Sequence, residues 1–402
     1  MNDVNVTDSL ALHRALLTLD THIDIPWPTG PDPFQDGTRR VDLPKMQRGG
    51  LAAGCFVAYV PQSARTPDSE RAAFERAMAM LQVIRSMGRT EAGITARVTV
   101  TAAEIEAAKR DGVLAVVPAV ENGFAMGTDL SRLAQFRALG ARYLTLTHNG
   151  HNAVADSANP RTDLGDAATE HGGLSALGHA VVGELNRLGM LIDISHATEA
   201  AQRQIVAASR APVVASHVAL RAICSNPSNL SDDVLRALVA KGGMIGIHSA
   251  AEQIGQRYYD WSRGKPSIPV NGVTREDILF GEMSLIRSPN RDYGEYIDAL
   301  DAQQGDRWRR FYSQPWHESS EGEAVVPSID DWVAHVAHAI AIGGPRSVAI
   351  GLDLTNARST LKNFDASHYP ELVEALRKHN LATPEILGEN WLRVFDSARV
   401  SN

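Results

Sequence analysis

Eight short apolar runs punctuate the chain, at residues 17–24, 52–60, 114–121, 141–148, 189–196, 211–217, 242–249 and 347–354. Each is rich in β-branched residues and nearly continuous in its apolar character, the pattern of a strand covered on both faces. Most follow a stretch with helical spacing, as at Ser131 to Leu139, Leu174 to Leu188, Ser231 to Val239 and Asp330 to Ile342. Strand-type runs alternating with helix-type runs predict a parallel sheet built from β–α units. Eight such units without a glycine-rich dinucleotide fingerprint favour an α/β fold of the (β/α)8 TIM-barrel type over a doubly wound sheet.

Almost a hundred residues separate the seventh and eighth runs, far more than a typical connection of ~2–6 residues plus a helix. Ser328 to Ile342 is the helix expected before the last strand, with Asp330 and Asp331 suited to its N-terminal end. Residues 251–326 then form an insertion rich in Trp, Tyr and Arg, with turn signals at Gly264-Lys265-Pro266 and Asn271-Gly272. The insertion is read as a lid over the barrel mouth or an oligomer contact. The rest of residues 1–402 forms a single barrel domain.

The ends of the runs carry residues that core packing does not call for. The first ends in His22-Ile23-Asp24, the third at Glu121, the fourth at His148, the fifth at His196 and the sixth at His217; the eighth carries Asp353. In a strand, residues i and i+2 share a face, so His22 and Asp24 project together. A lone His-x-Asp pair arises easily by chance, and a lone strand-end histidine is usually a hydrogen-bonded core residue. Their recurrence is different, because burying several uncompensated ionisable groups costs several kcal/mol each. Barrels of this class gather catalytic residues at the C-terminal ends of their strands.

Composition narrows the partners. A net charge of −8 and a pI near 6.0 exclude the basic footprint that nucleic acids or anionic membranes require. Cys55 and Cys224 are the only cysteines, so no disulfide framework is expected. The N-terminal MNDVNVTDSLALHRALL lacks a basic segment followed by a long apolar one. No stretch approaches the ~18 apolar residues of a membrane span. A soluble, cytoplasmic protein is the expectation.

Three histidines, a glutamate and an aspartate at one mouth suit a pair of zinc-type divalent ions. Glu121 would bridge through its two oxygens, with His22 and Asp24 completing one ion and His196 and His217 the other. Two ions roughly 3.5–4 Å apart can activate a bridging water and clamp a developing oxyanion. Asp353 is the free carboxylate for proton transfer, and His148 is available for a substrate or oxyanion contact.

The residues also match a family. The chain resembles the renal (membrane) dipeptidase family of the amidohydrolase superfamily, through D-T-H-I-D-I-P-W (20–27), V-E-N-G (120–123), R-Y-L-T-L-T-H-N (142–149), I-D-I-S-H (192–196), A-S-H-V-A-L-R-A-I-C (215–224), N-L-S-D-D (229–233), G-L-D (351–353) and G-E-N-W-L-R-V-F (388–395). The resemblance implies a (β/α)8 barrel, two zinc ions per chain and hydrolysis of a dipeptide's peptide bond by a metal-bridged hydroxide. It implies His22, Asp24 and Glu121 on one zinc, and Glu121, His196 and His217 on the other. His148 is placed near the scissile carbonyl, Trp27 in the pocket wall, and Asp353 as proton shuttle and contact for the substrate's amino group. Homodimer formation is a further expectation from the resemblance.

Two departures stand out. The family's Pro-Arg-Asn-Leu, whose arginine holds the substrate carboxylate, reads Pro227-Ser228-Asn229-Leu230 here. Serine cannot replace a guanidinium that forks onto a carboxylate; Arg221 is the nearby candidate substitute. The family's Asp-Phe-Asp-Gly reads Asp353-Leu354-Thr355-Asn356. Ser228 and Asn229 are therefore substrate-site candidates, and a modified amide or lactone lacking the usual free carboxylate is an alternative substrate. A non-catalytic barrel used as a binding module is the other alternative. His335 and His338 read as surface or packing residues, His151 and His171 as pocket-rim residues or supports behind the ligands, and Cys224 as core. His248 ends the seventh run, but the resemblance gives it no role.

Overall fold

The computed structural model describes residues 11, 13–24, 32–37, 40–263, 324–354, 361 and 364–398. All eight apolar runs form strands: β1 (Leu19–Asp24), β2 (Ala53–Tyr59), β3 (Leu114–Glu121), β4 (Tyr143–Thr145), β5 (Leu191–Asp193), β6 (Val213–Val218), β7 (Met244–Ile247) and β8 (Val348–Ile350). They pair in parallel in chain order, and β8 returns to β1 to close an eight-strand barrel. Their residues are almost entirely buried, as continuous apolar patterning requires.

A hairpin, Thr90–Glu91 with Ile94–Val98, is absent from the predicted set. Its second strand lies parallel to the start of β3, below the point where β4 joins the same edge. Thr95 and Arg97 at its outer positions interrupt the apolar signal that marks the barrel strands.

Helices surround the barrel, among them α1 (Leu43–Gly49), α2 (Pro67–Ser86), α3 (Ala102–Arg110), α4 (Ser131–Ala138), α5 (Ala176–Leu188), α6 (Glu199–Ala208), α7 (Asp232–Ala240), α8 (Ile329–Gly343), α9 (Tyr369–Lys378) and α10 (Asn390–Ser397). Their ends follow local chemistry. Thr101 with Glu104, and Ser328 with Asp331, form reciprocal capping boxes at the starts of α3 and α8. Gly189 ends α5 in the left-handed region, where glycine carries no Cβ penalty.

Helix α10 covers the N-terminal ends of the strands. Its Trp391 and Phe395 join Leu19, Ala53, Ala115, Leu191 and Met244 in one buried cluster. Tyr143 meets the Trp391 ring edge-on at 5.9 Å, so the barrel floor is solid. Thr21 then bridges the interior, donating to the carbonyls of Ser216 (2.5 Å) and Ile350 (3.1 Å). Gly246 and Gly351 make that bridge possible, since a Cβ on either would fall within 2.5 Å of Thr21 Oγ1. No helix among the described residues is long and apolar enough to cross a membrane.

Candidate metal centre and active site

The predicted ligands converge at the C-terminal ends of the strands. Glu121, at the tip of β3, faces three imidazoles: His22 Nε2 lies 3.4 Å from Oε2, while His196 Nε2 and His217 Nε2 lie 3.2 and 3.4 Å from Oε1. The two nitrogens of His196 and His217 are 2.8 Å apart. Asp24 Oδ1 lies 3.8 Å from His22 Nε2. Ligand-type atoms of Glu121, His148 and His196 lie within 4.8 Å of one another, as do those of His22, Asp24 and Asp353.

Three backbone anomalies aim these groups. His196, Asp353 and Asn122, which follows Glu121, all have positive φ (64°, 49° and 78°). Such conformations in non-glycine residues cost of order 1–3 kcal/mol and persist only where surroundings enforce them. At Asn122 the enforcement is visible. Its amide donates to Val60 O and Gln62 Oε1, and its Oδ1 accepts from Phe124 N and Asn152 Nδ2. Both β1 and β6 also break register beside His22 and His217. Such irregularities let the neighbours Thr21 and His22, and likewise Ser216 and His217, all contribute to the interior.

One hydroxyl sets two of these imidazoles. Ser216 Oγ donates to Asp193 Oδ2 at 2.5 Å and lies 3.1 Å from His22 Nδ1 and 2.8 Å from His217 Nδ1. Its single proton is spent on Asp193, so each Nδ1 must donate to it. The Tyr143 hydroxyl, 3.0 Å from His22 Nδ1, likewise gives its proton to Thr21 O. Both imidazoles therefore carry hydrogen on Nδ1 and turn Nε2 toward Glu121. Asp193 is held in turn by Thr145 Oγ1, Ser195 N, Ser195 Oγ and Ser216 N. Burial opposes its charge, yet His217 and these donors keep its carboxyl below the ordinary range.

The electrostatics point the same way. Burial disfavours a charged His22, but Glu121 pushes its pKa up to about 9. Burial equally opposes charge on Glu121, and the facing imidazoles hold it well below the usual carboxylate range. His22 Nε2 and Glu121 Oε1 are buried and make no hydrogen bond. Imidazole nitrogens and carboxylate oxygens converging in this way fit a zinc-type cation, whose binding displaces protons from its ligands.

The remaining candidates occupy the rim. The Tyr59 hydroxyl, at the end of β2, lies 3.4 Å from His148 Nδ1, and the His148 ring is 4.4 Å from that of His196. Asp353 follows β8, with Oδ2 3.1 Å from His248 Nε2. Ser228 is buried and accepts from Asn159 Nδ2 (2.7 Å), which also donates to Asn149 Oδ1. Asn229 is fully buried, its amide donating to Cys224 O and Gln253 O. Arg221 does not stand in for the missing guanidinium: it is bound to Glu199 and to the carbonyls of Pro227 and Asn229. Trp27 and residues 264–323 lie outside the described residues.

Other histidines have structural partners. His335 accepts from Leu220 N and bonds Ile254 O, and His338 pairs with Asp232. His151 accepts from Ser157 N and bonds Ala167 O, while His171 bonds Asn152 O, so both fasten the loop after β4. Sequence reasoning did not single out Tyr59, Tyr143, Asp193 or Ser216. The available signals were position alone: Tyr59 lies in the one early run without an ionisable end, and Ser216 directly precedes His217.

The sequence profile of the membrane dipeptidase family (peptidase family M19) matches residues 7–402. Dipeptidase verJ of Clonostachys rogersoniana is 31% identical over 98% of this chain and 87% of its own length. Dipeptidase 3 of Rattus norvegicus is 34% identical over 60% of this chain, a match spanning about half (49%) of the rat protein. The crystal structure of the probable dipeptidase PvdM of Pseudomonas aeruginosa superposes with a TM-score of 0.76 at 22% identity, over 98% of both chains. A Rhodobacter sphaeroides metallopeptidase, crystallised with a phosphinate mimic of the dipeptide L-Ala-D-Ala, gives a TM-score of 0.65 at 22% identity, over 95% of this chain and 99% of its own. The structural likenesses show the shared barrel fold. With its profile match over nearly the whole length, the chain belongs to the membrane dipeptidase family, M19.

Proposed function

We propose that the chain is a dizinc dipeptidase. The observation that carries this reading is Glu121 facing three imidazole Nε2 atoms at 3.2–3.4 Å in the barrel mouth, with Asp353 beside them. His22, Asp24 and Glu121 would hold one ion and Glu121, His196 and His217 the other. When bound, such ions supply an activated water and neutralise charge developing on the scissile carbonyl. His148, steadied by Tyr59, would donate to that carbonyl oxygen, as an oxyanion contact does. Asp353 would take the proton released by the attacking water and return it to the leaving amine. Trp27 would line the pocket. Asp353→Asn should keep its zinc and lose about 100-fold or more in kcat, the usual range for a general acid–base group. Full activity in that variant would overturn the shuttle assignment. Chelation should abolish turnover and zinc should restore it. Fewer than about one zinc per chain, with no hydrolysis after zinc addition, would favour a binding module.

A second reading rests on the rim. Ser228 is bonded to the neutral Asn159–Asn149 pair and Arg221 is committed elsewhere, which supports a substrate without a free carboxylate in the usual place. Comparing free dipeptides with their C-terminal amides and esters separates the readings: fast, saturable turnover of plain dipeptides eliminates the second. The root of the insertion is fastened beside this rim, where Glu252 O and Gln253 O accept from Asn226 and Asn229; residues 251–326 are proposed as a lid over the barrel mouth or an oligomer contact, and deleting them with activity and mass in solution both unchanged would overturn both versions. The proposed homodimer is tested by mass in solution, and the proposed cytoplasmic location by cell fractionation.

A further inference from the structure

His248 lies at the end of β7, fully enclosed, in a position to which the family resemblance assigns nothing. Its ring is fixed from both sides. Nδ1 accepts from the backbone N–H groups of Ser249 (2.8 Å) and Ala250 (3.0 Å). A nitrogen that accepts two N–H groups carries no proton, so the hydrogen of the neutral ring is on Nε2. That N–H points at Asp353 Oδ2, 3.1 Å away.

The other side of the contact is equally constrained. Asp353 sits at positive φ (49°), a conformation uncommon outside glycine that the surrounding contacts maintain. The Ser249 hydroxyl donates to Leu352 O, its N–H is shared between that carbonyl and His248 Nδ1, and Leu352 N donates to Asp20 Oδ2, so the backbone just before Asp353 is clamped to β7 and β1. One carboxylate oxygen receives the His248 N–H. The other, Oδ1, is buried and makes no hydrogen bond. Asp353 also has an oxygen within 4.8 Å of ligand-type atoms of His22 and Asp24.

We infer that His248 is the positioning residue of Asp353: its Nε2–H fixes one oxygen so that the other faces the reaction. The backbone turn Ser249–Ala250 selects the tautomer that makes this possible. The division leaves Oδ1 as the atom that gains and loses the proton. This inference rests on the reading of Asp353 as proton shuttle.

Two substitutions separate this role from a structural one, because they imitate different ring nitrogens. The glutamine amide reaches the place of Nε2 and can donate to Asp353. Asparagine reaches only the place of Nδ1, where its oxygen can accept from Ser249 and Ala250. His248→Gln should stay within about threefold of wild-type kcat on a dipeptide. His248→Asn should lose about tenfold or more, the loss of one hydrogen bond to a charged group, with KM, bound zinc and melting temperature unchanged. An active His248→Asn with an inactive His248→Gln would show that His248 only caps the turn, overturning the inference. So would wild-type turnover in both variants, or loss of zinc or stability in both. Asp353→Asn measured alongside separates the two levels: wild-type turnover there removes the shuttle reading itself, whereas an inactive Asp353→Asn with a fully active His248→Asn removes only the role of His248.

Discussion

The floor and the rim of the barrel mouth are built on different principles. The floor is charged, buried and held by redundant contacts: His22 and His217, which face Glu121, rest on Ser216, and Ser216 rests on Asp193, which five donors restrain. On the rim, Ser228 meets only neutral side chains, Asn159 and through it Asn149, which bond to one another across two loops. Strand ends can hold charges to a fraction of an ångström because the barrel holds the strands. Loops carry the groups that must differ between substrates. Under the proposed roles, the contrast would let the metal ligands stay fixed while the residue at position 228 changes.

The sharpest test removes the centre of the floor. Glu121→Ala should lose bound zinc and at least about 1,000-fold in kcat/KM, since Glu121 is the one group shared by all three imidazoles; metal analysis and initial rates check this. Next is the hydroxyl behind the ligands. Ser216→Ala should weaken zinc binding by about 10–100-fold, the usual cost of losing a contact that orients ligands. Chelator competition measures it, and wild-type affinity would show that the tautomers are set elsewhere. The smallest effect is expected on the rim. Ser228→Ala should change KM by less than about threefold and leave kcat alone, because its hydroxyl bonds a neutral amide. A tenfold rise in KM would instead make Ser228 a direct substrate contact.

The fold was legible because parallel strands buried on both faces leave an apolar run that little else produces. The clustering of Glu121 with the three histidines was legible for the opposite reason: ionisable residues ending apolar runs contradict core packing unless something charged awaits them. The supports were not legible. Whether the Ser216 hydroxyl reaches two imidazoles depends on register breaks in β1 and β6, and no local pattern announces these. Tyr143 reads as an ordinary core aromatic until its hydroxyl is seen beneath His22. The contact of His248 with Asp353 joins residues 105 positions apart, and it follows only from the adjacency of β7 and β8.

The barrel's closure has a consequence for how the molecule becomes active. β8 meets β1 through a single aligned pair, Asp20 with Ile350, reinforced by Thr21, by Leu352 N on Asp20, and by the Tyr369 hydroxyl on the same carboxylate. His22 and Asp24 stand on one side of this seam and Asp353 on the other. Contacts of such long sequence separation carry the largest loop-closure cost during folding. Under the proposed roles, the ligands on β1 and the proton carrier after β8 would therefore meet only once this seam has formed. Competence for hydrolysis would then report that the barrel has shut.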